Sequence, residues 1–154
     1  MPDDKSDAKT ILVVDDVSDN RILMSLSLQD MGYRVLTACD GEEAVSIALL
    51  ARPNLILMDI AMPQLDGLGA TRRIREQAEL QYVPVVAITA FDTSGFRRAA
   101  FDAGFDGYLT KPIDFERMAT LIDRLITGQT TSEIGHEQTT EIGDEDTTEI
   151  ARGA

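Results

Sequence analysis

A chain of 154 residues, 44% of them hydrophobic and 27% charged, can bury one good core but would be crowded as two domains. Its formal charge of −13 excludes a grip on nucleic-acid backbone, which asks for a Lys/Arg surface that releases counterions. The single cysteine, Cys39, cannot close an internal disulfide. The start Met1-Pro2-Asp3-Asp4 lacks the basic and apolar regions of a signal peptide, and no apolar run reaches the roughly 18 residues a membrane helix needs, so a cytoplasmic protein without membrane contact is expected.

From Thr10 onward, short aliphatic runs alternate with stretches of helical periodicity, the pattern of β-α-β units feeding a parallel sheet. A first strand near 10–15 ends in Asp15-Asp16 and leads to a helix near 18–31; a second strand near 34–38 is followed by a helix near 40–51, where Asp40 and Glu43 read as a capping box. The third strand, near 54–59, is the run Leu55-Ile56-Leu57-Met58 closed by Asp59. The helix after it, near 67–78, is the weakest: Leu68 and Ile74 give it a thin apolar face, and Gly69 costs it about 1 kcal/mol relative to alanine. A strand near 83–89 ends at Thr89, and the helix near 93–103 carries the stripe Phe96, Ala99, Ala100 and Ala103 up to Gly104. After a last strand near 106–110, a helix near 114–127 is capped by Asp114, striped by Met118, Leu121, Ile122, Leu125 and Ile126, and closed by Gly128. Right-handed crossovers would bury both faces of such a sheet.

The domain is therefore expected over residues 9–128, behind an N-terminal extension of residues 1–8. In 129–154 the unit Thr130-Thr131-Ser132-Glu133-Ile134-Gly135 returns from Thr139 and again from Thr147, an acidic repeat with one isoleucine per unit. That is too little apolar surface to offset ordering entropy, so a disordered tail is expected. Its functional alternative is a multivalent motif that adds a strand to a partner's sheet edge.

The chemistry gathers at strand ends. In a parallel sheet of β-α units, ligands bind in the crevice at the carboxyl ends of the strands. Asp15, Asp16 and Asp59 stand there, a hard oxygen set that suits magnesium. Without a cation, charges about 4 Å apart repel by roughly 4 kcal/mol at an effective dielectric of 20. Asp59 would attack phosphorus to form an acyl phosphate, with Thr89 as hydroxyl donor, Lys111 as cation, and the small Ala90 leaving room. Singly these residues have plainer roles: Asp15-Asp16 can favour a helix N-terminus, and Lys111-Pro112 can simply turn the chain. It is the complement at four strand ends that carries the functional reading.

The stretches Ile11-Leu12-Val13-Val14-Asp15-Asp16, Leu57-Met58-Asp59-Ile60-Ala61-Met62-Pro63-Gln64-Leu65-Asp66-Gly67, Ile88-Thr89-Ala90 and Gly107-Tyr108-Leu109-Thr110-Lys111-Pro112 resemble the receiver domains of bacterial two-component response regulators, over about 9–127. The resemblance implies a flavodoxin-like (βα)5 fold of strand order 2-1-3-4-5, and phosphorylation of Asp59 by a histidine kinase or histidine phosphotransfer protein. It implies magnesium held by Asp16, Asp59 and the carbonyl of Ala61, with Asp15 helping through water. Lys111 would bind first the carboxylate and then the phosphoryl group, with a cis bond before Pro112, and Thr89 and Tyr108 would form the switch. Ala61 and Phe91 occupy the positions that tune acyl-phosphate lifetime, and an alanine cannot orient attacking water, so a long-lived phosphoryl state is expected. Asn20-Arg21 and Asp114 look like receivers of hybrid kinases or stand-alone relay regulators. The turn from Val17 to Leu23 would receive the phosphodonor.

On this reading the chain is a single-domain regulator, monomeric or weakly dimeric. Its output is protein binding through the face of the fourth helix, fifth strand and fifth helix, and it catalyses only its own phosphorylation and dephosphorylation. A phosphate sink without output is a variant. A phosphohydrolase of the haloacid-dehalogenase type is the alternative from another class, but it wants an acid where Ala61 stands. A flavin binder lacks its phosphate loop after the first strand. Cys39 is expected as a small filler at a strand end, His136 as a tail residue without ligand partners, and Phe101 as exposed or partly covered.

Overall fold

The computed structural model describes residues 8–60, 66–90 and 94–128. Strands β1 (Thr10–Val14), β2 (Arg34–Ala38), β3 (Leu55–Asp59), β4 (Val85–Thr89) and β5 (Gly107–Thr110) alternate with helices α1 (Ser18–Asp30), α2 (Gly41–Ala51), α3 (Gly67–Glu76), α4 (Ser94–Ala103) and α5 (Phe115–Thr127). All strand pairs are parallel, in the order β2-β1-β3-β4-β5. This is the flavodoxin-like order expected above.

Alternation along each strand divides the core in two. Leu12, Val14, Ile56, Met58, Val85 and Ala87 meet Ala44, Ala48, Ala70, Ile74 and Ala100 of α2, α3 and α4. Ile11, Val13, Leu55, Leu57, Val86 and Ile88 meet Met24 and Leu28 of α1 and Met118 and Ile122 of α5. Every residue of β3 and β4 is buried, which explains why both read as unbroken apolar runs instead of alternating ones. Full burial of each such aliphatic side chain contributes about 1.5 to 3 kcal/mol.

The helix ends follow the sequence signals at α5 and depart from them at α2 and α3. Asp40 accepts from the Glu43 N–H at 2.8 Å, but Glu43 Oε1 accepts from the N–H of Cys39, not of Asp40, so the capping box closes one residue early. At α5, Asp114 Oδ1 accepts from Glu116 and Arg117, and Gly128 closes the last turn with φ 76°. The helix expected near 67–78 stops at Glu76: Gln77 is extended (φ −89°, ψ 122°), and Ala78–Leu80 form a 3₁₀ turn. Asp66, a cap the sequence reading passed over, starts α3 by accepting from Gly69 N–H at 2.8 Å. Its buried face is Gly67, Ala70, Thr71 and Ile74, and the first three are small enough to let the helix lie close to the sheet.

Cys39 does not fill space. It is exposed, and its hydrogen bond with Glu43 holds the thiol above its ordinary pKa, with some desolvation and the Glu43 and Asp40 charges adding to the effect. Phe101 is half-buried. Among the described residues no helix is long and apolar enough to cross a membrane. Of the expected N-terminal extension only Ala8 is described; the repeat tail, including His136, lies outside the described residues.

Candidate functional site

Register brings the acids together. Val14 pairs with Met58, so the next residues, Asp15 and Asp59, leave the sheet side by side at its carboxyl edge. Carboxylate oxygens of Asp15, Asp16 and Asp59 lie within 4.8 Å of one another. Asp59 is 4% exposed and Asp15 5%, whereas Asp16 is open to solvent. At that separation each pair of charges repels by about 3 to 4 kcal/mol at an effective dielectric of 20. The oxygens are hard, anionic and partly desolvated, the donor chemistry that magnesium prefers, and the set fits that ion.

The surrounding chain fixes these groups. Asp15 Oδ1 accepts from Val17 N–H at 2.9 Å, and the Asn20 amide stands 3.3 Å from Oδ2. Arg21 Nη1 donates to the Asp15 carbonyl at 2.8 Å, so the helix start grips both ends of the residue. Lys111 Nζ lies 3.5 Å from Asp59 Oδ2 and 3.8 Å from Asp15 Oδ2. One ammonium thus faces two buried carboxylates. It is placed by its own N–H, which donates to the Thr89 carbonyl at 2.8 Å, and by a cis Lys111–Pro112 bond.

Behind Asp59 sits a residue whose part the sequence reading missed. Gly67 N–H donates to the Ile60 carbonyl at 2.9 Å, and a Cβ on Gly67 would stand 2.5 Å from the Asp59 carbonyl oxygen and 2.7 Å from Ile60 Cα. Only glycine fits against that backbone. The available signal was a glycine in a first helical turn, where propensity gives no reason for one.

Thr89, 1% exposed, ends β4. Tyr108 pairs with Ala87, two residues earlier on β4, so Tyr108 and Thr89 share a face of the sheet. The Tyr108 ring packs at the margin of the cluster under α2, α3 and α4, and Arg97 Cζ of α4 lies 5.2 Å from the ring centroid. Nothing in the spacing of the sequence singled out Arg97. Ala90 is exposed beside Thr89. Ala61 and Phe91 lie outside the described residues. On the flank of the acidic cluster, α1 exposes Ile22, Leu23 and Leu26 beside Val17, next to a groove lined by Ser18, Arg21, Ser25 and Thr37.

The family model "Response regulator receiver domain" matches residues 11–123. Protein PilH of Pseudomonas aeruginosa is 35% identical over 118 residues, covering 77% of this chain and 98% of that one. The ycf27 protein of Cyanophora paradoxa is 36% identical over 118 residues, but the chain spans only 48% of its length. Among solved structures, the receiver domain of the sensor histidine kinase PA1611 of Pseudomonas aeruginosa, with a magnesium ion coordinated in its active-site cleft, superposes with a TM-score of 0.74 at 38% identity, covering 78% of this chain and 98% of that one.

Proposed function

The chain belongs to the response regulator receiver family, and on that premise we propose that Asp59 accepts a phosphoryl group from a histidine of a kinase or phosphotransfer protein. The observation that carries this reading is the convergence of three carboxylates on one point with the Lys111 ammonium 3.5 Å from Asp59. An Asp59 carboxylate oxygen attacks phosphorus while the bond from phosphorus to the donor nitrogen breaks, its electron pair staying on the imidazole. Asp16, Asp59 and the main-chain carbonyl of Ala61 would hold magnesium, with Asp15 acting through water. The bound ion supplies positive charge against the carboxylates and the phosphoryl oxygens.

Lys111 then passes from the carboxylate to a phosphoryl oxygen, and the Thr89 hydroxyl donates to another. Moving a two-state equilibrium from 1:99 to 99:1 takes roughly 5.5 kcal/mol, and charged hydrogen bonds contribute about 1.5 to 3 kcal/mol each. Thr89 and Lys111 together with a backbone amide reach that figure; Thr89 alone does not. As the Thr89 hydroxyl moves, Tyr108 turns toward the space it leaves and alters the surface of α4, β5 and α5, through which a downstream protein is bound. The exposed apolar residues of α1 receive the phosphodonor. Alanine at 61 leaves hydrolytic water unoriented, which favours a long-lived acyl phosphate over turnover of other substrates.

Incubation with magnesium and acetyl phosphate, read by intact mass, tests the assignment. A single phosphoryl adduct is expected on the parent and none on Asp59→Asn or in the presence of chelator. An adduct that persists on Asp59→Asn, or continuous release of phosphate, would overturn it. A half-life of seconds would refute the slow hydrolysis assigned to Ala61.

A further inference from the structure

Arg97 lies in the first turn of α4, and its guanidinium carbon stands 5.2 Å from the centroid of the Tyr108 ring on β5. That is inside the roughly 6 Å over which a cation is drawn to an aromatic face. Both residues are half-buried, so the attraction is less diluted by solvent than on an open surface. Its neighbour Arg98 is exposed, so of this pair it is Arg97 that is turned toward β5.

We propose that Arg97 is a positioning residue that holds the Tyr108 ring where it lies in the unmodified chain, and so sets how readily the Thr89–Tyr108 pair switches. This rests on the reading of Thr89 and Tyr108 as the switch. In the unmodified chain Lys111 pairs with Asp59 and the ring lies beside Arg97. Tyr108 and Thr89 share one face of the sheet and Arg97 reaches the ring from α4; the proposal is that this contact is lost when the ring turns toward Thr89. A contact made in one state only shifts the equilibrium by its whole strength, whereas a contact kept in both shifts nothing. Arg97 also ties the ring to α4, so the position of the helix and the orientation of the ring move together.

The test needs a readout of the ring itself. The chain has three tyrosines, so 3-fluorotyrosine in a Tyr33→Phe, Tyr82→Phe background gives a single fluorine signal from Tyr108. Spectra of the parent, Arg97→Met and Arg97→Lys are recorded in chelator, and again with magnesium and beryllofluoride as a phosphoryl mimic. Methionine keeps an unbranched stem and removes the charge. Arg97→Met is expected to raise the switched-ring fraction in chelator, and the affinity for beryllofluoride, by the same factor of about three to ten, the middle of the range for a cation over an aromatic ring. Arg97→Lys is expected to recover at least half of that change. The proposal fails if the ring signal is the same in all three proteins, if lysine and methionine behave alike, or if Arg97→Met lowers the melting temperature while the ring stays in place. If beryllofluoride moves the ring in none of them, the reading of the site fails, and the spectra in chelator still decide the part played by Arg97.

Discussion

Neutralising Asp16 should make the protein more stable and its site worse. Asp16 is exposed, and a carboxylate oxygen lies within 4.8 Å of those of Asp15 and Asp59. Each of its two repulsions is worth about 3.5 kcal/mol at an effective dielectric of 20 and about 0.9 kcal/mol in bulk water, and exposure puts the true figure near the lower bound. Against the relief stands the loss of an acid ahead of the α1 N-terminus, worth about 0.3 to 1 kcal/mol. The balance for Asp16→Asn is a gain of about 1 kcal/mol in chelator, a rise in melting temperature of about 3 to 6 °C for a domain of this size. Magnesium at ten times its dissociation constant should add about 1.4 kcal/mol to the parent and much less to the variant, which lacks one of the proposed ligands. Thermal melts followed by circular dichroism, with chelator and then with magnesium, should therefore show the gap between the two proteins closing or reversing. High sodium chloride should shrink the gap in chelator, because it screens the exposed partner. An Asp16→Asn variant that melts no higher than the parent without divalent ions, or gains as much from magnesium, would rule out repulsion at this cluster.

Substitutions at three further positions test other parts of the fold, and a titration tests a fourth feature. Gly67→Ala forces a Cβ into the backbone of Asp59 and Ile60; a loss of about 2 to 3 kcal/mol in denaturant unfolding is expected, together with slower labelling of Asp59 by acetyl phosphate. Thr71 Oγ1 is buried with no hydrogen-bond partner, so Thr71→Val, which keeps the shape and removes the hydroxyl, should raise stability by about 1 kcal/mol. Arg75 donates to the carbonyls of Leu80, Gln81, Val83 and Gly104 and pairs with Asp106 at 2.6 Å; Arg75→Met should cost about 2 to 4 kcal/mol, and Arg75→Lys should recover little, since one ammonium cannot span that fork. Burial holds the Asp106 carboxyl above its ordinary pKa, against the opposing pull of the Val85 N–H and Arg75. For a raised acid, the stabilising contribution is present below the unfolded value of about 3.9 and is lost as pH rises through the folded value, so NMR titration should place its midpoint above 3.9.

The succession of strands and helices and the acidic cluster were legible because both follow from local patterns, whereas the strand order came from the family resemblance. Unbroken runs such as Leu55-Ile56-Leu57-Met58 identify strands covered on both faces, and an acid straight after such a run has nowhere to go but the carboxyl edge. The close approach of Gly67 to Asp59 was not legible, since it depends on how near α3 comes to β3, which no window of sequence encodes. The same holds for Arg75, whose partners Gly104 and Asp106 lie 29 and 31 residues away. α3 itself was undervalued because its face was sought among large residues. Its buried positions are Gly67, Ala70, Thr71 and Ile74, and the Asp66 cap with a tight fit to the sheet replaces a broad apolar stripe. Cys39 misled in the other direction: its small size suggested filling, but β2 is the edge strand and its end is open.

The two edges of the sheet hold their carboxylates in different ways. At the carboxyl edge, three acids are held against one another with one nearby ammonium, an arrangement that lowers stability until a cation arrives. At the amino edge, the Asp106 carboxylate accepts from Val85 N–H at 2.9 Å and meets Arg75, which also takes up carbonyls from the 3₁₀ turn and the end of α4. That clasp joins α3, β4, α4 and β5 at the end remote from the chemistry. Arg75 shares no contact with Asp15, Asp16 or Asp59, so removing Arg75 together with the divalent ion should destabilise the fold by about the sum of the two separate losses.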